Sequence, residues 1–131
     1  MKKKQMIAAI ALLTFLASIF FLKSVLRRED AVKTVRAVLK HWRNGDLTLA
    51  MPYWEAQEDS PPVYDLMAYE IGEGEVIKKD GMYHARVSAV LEFPQGNPFP
   101  SGKKWSFQLM KTRYGWKIKD FVISENLPAP Y

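Results

Sequence analysis

Few side chains in this 131-residue chain are of the kinds that move protons or bind metals. There are two histidines, His41 and His84, and no cysteine. Asp46, Asp65 and Glu92 are the carboxylates that could serve as a lone general base. Such a base needs a partner at hydrogen-bond distance to orient it, and the sequence pairs none of these five residues. His84 falls on a strand face with Arg86, Ser88 and Glu92, opposite an aromatic face, so its imidazole is expected to meet solvent or a partner. His41 stands beside Trp42 on a helix and reads as a helix-face residue. Two histidines 43 positions apart, with no thiolate, are a poor basis for a transition-metal site. Gly72-Glu73-Gly74 lacks the third glycine and following helix of a dinucleotide loop and reads as bend chemistry. No catalytic residue, cofactor or metal is expected.

A second class of residue could bind rather than react. Tyr53, Trp54, Tyr64, Met67, Tyr69, Phe99 and Trp105 are aromatic or soft apolar side chains that could line a pocket for an apolar ligand or meet a partner, as could Tyr131 in the tail. The competing reading is core and lid packing. Phe99 lies between prolines in a loop, where a phenyl ring must find a groove or a partner. Arg86, Lys103, Lys104, Lys111, Lys117 and Lys119 around Trp105 resemble a basic-aromatic nucleic-acid face. The charge balance argues against that. Residues 1–30 hold six basic and two acidic side chains, and the other 101 hold thirteen and twelve, so the body carries only +1 of the net +5. The basic residues of the body then read as solvated strand faces, and no nucleic acid is expected.

The elements that would position these residues follow from periodicity. Ser24–Arg43 reads as one helix, with Val25, Val32, Val35, Leu39 and Trp42 on a core-facing stripe widened by Ala31 and Val38. Asn44-Gly45 ends it, and Asp46 is expected to cap a short helix that Pro52 stops. Pro61-Pro62 is expected to open a third short helix over residues 63–68. The period then changes to two. A strand over 70–78 is interrupted by Gly72 and Gly74, which suggest a bulge or bend. Asp80-Gly81 turns the chain tightly. Residues 82–93 alternate, with Tyr83, Ala85, Val87, Ala89, Leu91 and Phe93 on one face. A Pro- and Gly-rich loop, Pro94–Gly102, precedes strands over 103–112 and 116–123. In the last strand Trp116, Ile118 and Val122 are expected to oppose Lys117, Lys119 and Phe121. The fold class is therefore α+β, a long helix plus short helices on a curved four-stranded antiparallel sheet.

Upstream of this domain, Met6–Leu22 is seventeen residues without a charge, a proline or a glycine, preceded by Lys2, Lys3 and Lys4 and followed by Lys23, Arg27 and Arg28. As a helix it spans about 25 Å, at the short end of what crosses a bilayer. It reads as an uncleaved single-pass membrane anchor. A cleaved signal is the alternative, but small-x-small cleavage sites are poor here. The three leading lysines favour the N-terminus in the cytoplasm and the domain on the periplasmic, extracytoplasmic side. No helix breaker separates Leu22 from Val32, so the anchor is expected to run on into the domain helix. The organisation is then an anchor at 1–24, a domain at 25–123 and an extended tail at 124–131.

The order of elements, with VLKHWRNGDLTLAMPYW on the helical part and YGWKIKDFVI closing the sheet, resembles the NTF2-like (nuclear transport factor 2-like, cystatin-like) superfamily over residues 28–123. The resemblance implies a cone-shaped domain. It does not imply a function, because the superfamily holds enzymes, ligand binders and scaffolds. Its enzymes place a carboxylate or histidine inside the cone, which this sequence does not clearly provide. The expected role is a non-catalytic accessory or scaffold subunit of a bacterial inner-membrane complex, with protein partners and a homo-oligomer among them. The alternative is a membrane-tethered cone that binds a small apolar ligand or acts on it.

Overall fold

The computed structural model describes residues 2–124. Its first element, α1 (Lys2–Arg43), is a single uninterrupted helix of 42 residues. At a rise of 1.5 Å per residue it is about 63 Å long. The two halves of α1 have opposite surroundings. From Met6 to Leu26 most of its large apolar side chains are exposed, Phe20 at 70% and Phe21 at 73%. From Ala31 onward the predicted stripe is buried: Ala31, Val32, Val35, Val38, Leu39 and Trp42. The exposed half contains an 18-residue window long and apolar enough to cross a membrane, none of it buried.

The helix ends in a Schellman motif. The Asp46 N–H donates to His41 O at 2.8 Å and the Gly45 N–H to Trp42 O at 3.1 Å, with Gly45 in the left-handed region at φ 80°. Asp46 precedes α2 (Leu47–Ala50) but makes no side-chain capping bond. Its backbone is engaged in closing the previous helix, so the expected cap is corrected. Two 3₁₀ turns follow, Met51–Tyr53 and Gln57–Asp59.

Residues 61–67 are not helical, contrary to expectation. Asp65 adopts φ 58°, which breaks any helix, and the segment lies extended with the Met67 N–H bonded to Glu92 O at 2.9 Å. Val63 and Leu66 are both buried. Their three-residue spacing, which imitates a helix, is instead produced by the left-handed residue between them.

The sheet is an antiparallel meander of β1 (Ala68–Lys79), β2 (Met82–Glu92), β3 (Lys103–Thr112) and β4 (Gly115–Ile123), in the order β1-β2-β3-β4. α1 covers one face; the other is open. Each edge strand carries a bulge. In β1, Gly72 and Glu73 together oppose Ser88, between the pairs Ile71↔Ala89 and Gly74↔Val87. Ser88 Oγ accepts from the Glu73 N–H at 3.1 Å. A Cβ on Gly72 would sit 2.9 Å from Ser88 Oγ, and one on Gly74 would sit 2.9 Å from Val32 Cγ2 of α1. Gly72 thus clears the bulge and Gly74 clears the helix. In β4, Lys119 and Asp120 oppose Gln108, between Gln108↔Asp120 and Leu109↔Ile118. This extra residue reverses the alternation. Trp116 and Ile118 face the core as expected, but beyond the bulge Phe121 turns inward and Val122, at 53% exposure, turns out. The expected placement of those two residues is corrected.

Valine is a better strand residue than glycine, yet Gly74→Val should destabilise the domain by about 1–3 kcal/mol, the usual cost of overpacking. Equilibrium denaturation in mild detergent checks this. A gain in stability would mean that α1 does not press on β1 at this point.

Candidate functional site

The residues singled out in the sequence divide into three groups. Trp54 and Trp105 are fully buried. They meet Trp42 from α1, with ring centroids 6.4 and 6.0 Å from it, and Phe107 lies 6.2 Å from the same ring. Phe121 stacks on Trp105 at 5.1 Å and meets Trp54 edge-on at 5.8 Å. This aromatic cluster fills the space between α1 and the sheet. The indole Nε1 atoms of Trp42, Trp54 and Trp105 are buried with no hydrogen-bond partner. An unpaired donor costs about 1–3 kcal/mol, whereas burying an indole of 150–250 Å² gives roughly 4–6 kcal/mol. Burial wins at each position.

Phe99 and Tyr64 belong to the end of the domain where α1 terminates. The Pro94–Gly102 loop is pinned by Asn97, whose Nδ2 donates to Tyr64 O at 2.9 Å and whose Oδ1 accepts from the Phe99 N–H at 2.9 Å. Ser101 Oγ accepts from the Phe93 N–H at 2.8 Å. The loop folds back so that Phe99 is half-buried, 5.8 Å from Phe93 and 5.3 Å from Trp105. The groove a phenyl ring needs in such a loop lies on its own sheet. Tyr64 and Met67 are exposed at 58% each, and Tyr69 packs on the core edge. Tyr53 is half-buried and tilted against His41 at 5.9 Å. Tyr131 and the tail beyond Ser124 lie outside the described residues.

The titratable candidates are scattered. His41 lies on α1 against Tyr53. Asp46 and Asp65 are exposed in connecting segments and Glu92 is exposed at the end of β2. His84 lies on the open face of the sheet in a shallow cleft of about 330 Å³ with Glu75, Ile77, Lys79, Arg86 and Gln108. The neighbouring Arg86–Glu75 ion pair, at 3.7 Å, is about two-thirds exposed on both sides, where such pairs contribute little. Among the described residues no group of three or more histidines and carboxylates converges as a metal ligand set.

The structure also brings together residues that lie far apart in the sequence. Arg27 of α1 lies over the ring of Tyr83, 4.3 Å from its centroid, and Lys78 approaches the same ring at 5.3 Å. These cation–π contacts tie α1 to the β1–β2 hairpin. By sequence alone Tyr83 belongs to the core face of β2 and Arg27 flanks the apolar run. Their contact brings the β1–β2 hairpin tip to the end of the domain where the apolar run of α1 stops.

Compared with known proteins, the chain matches no family model, no curated protein and no solved structure.

Because Phe99 covers Trp105, Phe99→Ala should lower stability by roughly 2 kcal/mol, about half the cost of truncating a fully buried phenylalanine. Denaturation followed by tryptophan fluorescence measures it. Unchanged stability would place Phe99 off the core.

Proposed function

We propose that this chain is a single-pass membrane protein whose α+β domain, of NTF2-like (cystatin-like) type, acts without catalysis as an accessory or scaffold subunit of a bacterial inner-membrane complex. The domain stands on the extracytoplasmic side in this reading. The observation that carries it is the unbroken course of α1, in which the exposed apolar half and the buried half share one helix. A flexible tether would let a domain diffuse. A continuous helix holds it at a set height and tilt, which suits a part that must meet neighbours in the same membrane.

The packing supports a structural role. A ligand-binding or catalytic cone needs interior volume between helix and sheet, and Trp42, Trp54, Trp105 and Phe107 occupy that volume. The open face of the sheet mixes charged residues with exposed Ile77, Val90 and Val122, a composition suited to a polar protein contact. The three lysines before the apolar run favour the proposed orientation.

Two measurements test the reading. The full-length chain should resist alkaline extraction from membranes with its N-terminal segment uncleaved; release into the soluble fraction would remove the anchor. In mild detergent at native expression it should migrate as part of an assembly, with crosslinks from the open sheet face to its partners. A lone monomer under those conditions would overturn the scaffold role.

A further inference from the structure

The membrane-proximal end of the domain has a composition of its own, and its position follows from two contacts. Arg27 stacks on Tyr83 at one end of the domain helix, and Trp42 packs against Trp105 at the other. Trp105 pairs with Ala89 of β2. From Arg27 to Trp42 the helix advances about 22 Å, and from Tyr83 to Ala89 the strand advances about 20 Å. The two lengths agree, so β2 runs alongside α1 in the same direction, and the start of β2 lies toward the membrane segment.

Both hairpin tips are at that end. His84 pairs with Met110 and Thr112 with Gly115, which brings the β3–β4 turn level with the β1–β2 turn at Asp80-Gly81. From Tyr83 back to Asp80 the strand covers about 10 Å, while from Arg27 back to Leu22 the helix covers about 8 Å. The tips therefore reach the level at which the apolar run ends.

The tips are basic. Lys78 and Lys79 stand on one and Lys111 and Arg113 on the other, and Arg27 of α1 meets the first through Tyr83. Five cations thus stand at or beside the two turns, where Asp80 is the acidic residue of the turns themselves. Tyr114, 80% exposed, and Met82, 41% exposed, project from the two turns. Tyrosine favours the headgroup layer.

We propose that this end of the domain is a docking surface for anionic phospholipid headgroups of the bilayer that the chain itself spans, with Lys79, Lys111 and Arg113 as the contacts and Tyr114 entering the interface. The inference rests on the membrane-anchor reading of α1. The tether brings the tips within a Debye length of about 8 Å at physiological salt, where basic side chains are attracted to a negative leaflet. The lipid contact would fix the rotation of the domain about the helix axis, which the helix by itself leaves free.

The test uses the full-length chain in nanodiscs of phosphatidylcholine, with and without added phosphatidylglycerol, and reads amide hydrogen exchange. With the anionic lipid, exchange over residues 77–83 and 111–116 should slow roughly tenfold, the equivalent of one or two basic contacts, while the Pro94–Gly102 loop at the far end is unchanged. High salt, or the triple variant Lys79→Glu, Lys111→Glu, Arg113→Glu, should abolish the difference; these side chains are exposed, so the variant is expected to fold. Incorporation with identical exchange in both lipids overturns the docking surface and leaves the anchor standing. That outcome includes the case in which an acidic protein is the true occupant. Failure to enter nanodiscs at all overturns both.

Discussion

The packing of Trp42 against Trp105 and Trp54 is the contact on which the rest of the molecule depends. One indole from α1, one from β3 and one from the segment after α2 meet at a single place. Without that cluster the helix would have only aliphatic side chains, Leu39 with valines and alanine, against the sheet. Three consequences follow from it. The helix is clamped at its far end and the chain after α2 is held against β4. Phe99 is drawn in to cover Trp105, which orders a loop that proline and glycine would otherwise leave loose.

The clamp also governs how the exposed apolar half of α1 is joined to the domain. α1 is fixed to the sheet at Trp42 and again at Arg27–Tyr83, about 22 Å apart along the helix. Two points of attachment prevent the helix from pivoting on the sheet. Between them Gly74 permits the close approach of β1. The apolar half of α1 and the domain are therefore joined without a hinge along one continuous helix. It sets the hairpin tips level with the end of the apolar run.

The two bulges matter for the same reason. Each edge strand must present core residues of opposite sequence parity: Ile71 and Val76 in β1, Ile118 and Phe121 in β4. A strand with strict alternation buries only one member of each pair. Inserting one residue opposite Ser88 and one opposite Gln108 lets both members face the core.

Much of the architecture was legible in the residues. The apolar run, the valine stripe ending in Trp42, the Asp80-Gly81 turn and the alternation from Tyr83 to Phe93 each depend on local periodicity or local backbone preference, and those operate between near neighbours in the chain. The α+β class and the meander follow from them. Other features depend on partners far away in sequence. The inward turn of Phe121 is produced by a bulge opposite β3, and the extended course of residues 61–67 by a left-handed Asp65 that lets Val63 and Leu66 both reach the core. The burial of Trp54, Trp105 and Phe99, aromatic residues that could equally have lined a pocket, was decided by the convergence of three elements on Trp42. Composition alone assigned the basic side chains to solvated faces. Lys78, Lys79, Lys111 and Arg113 come to one end because both hairpins turn there, and strand register is a property of the folded sheet.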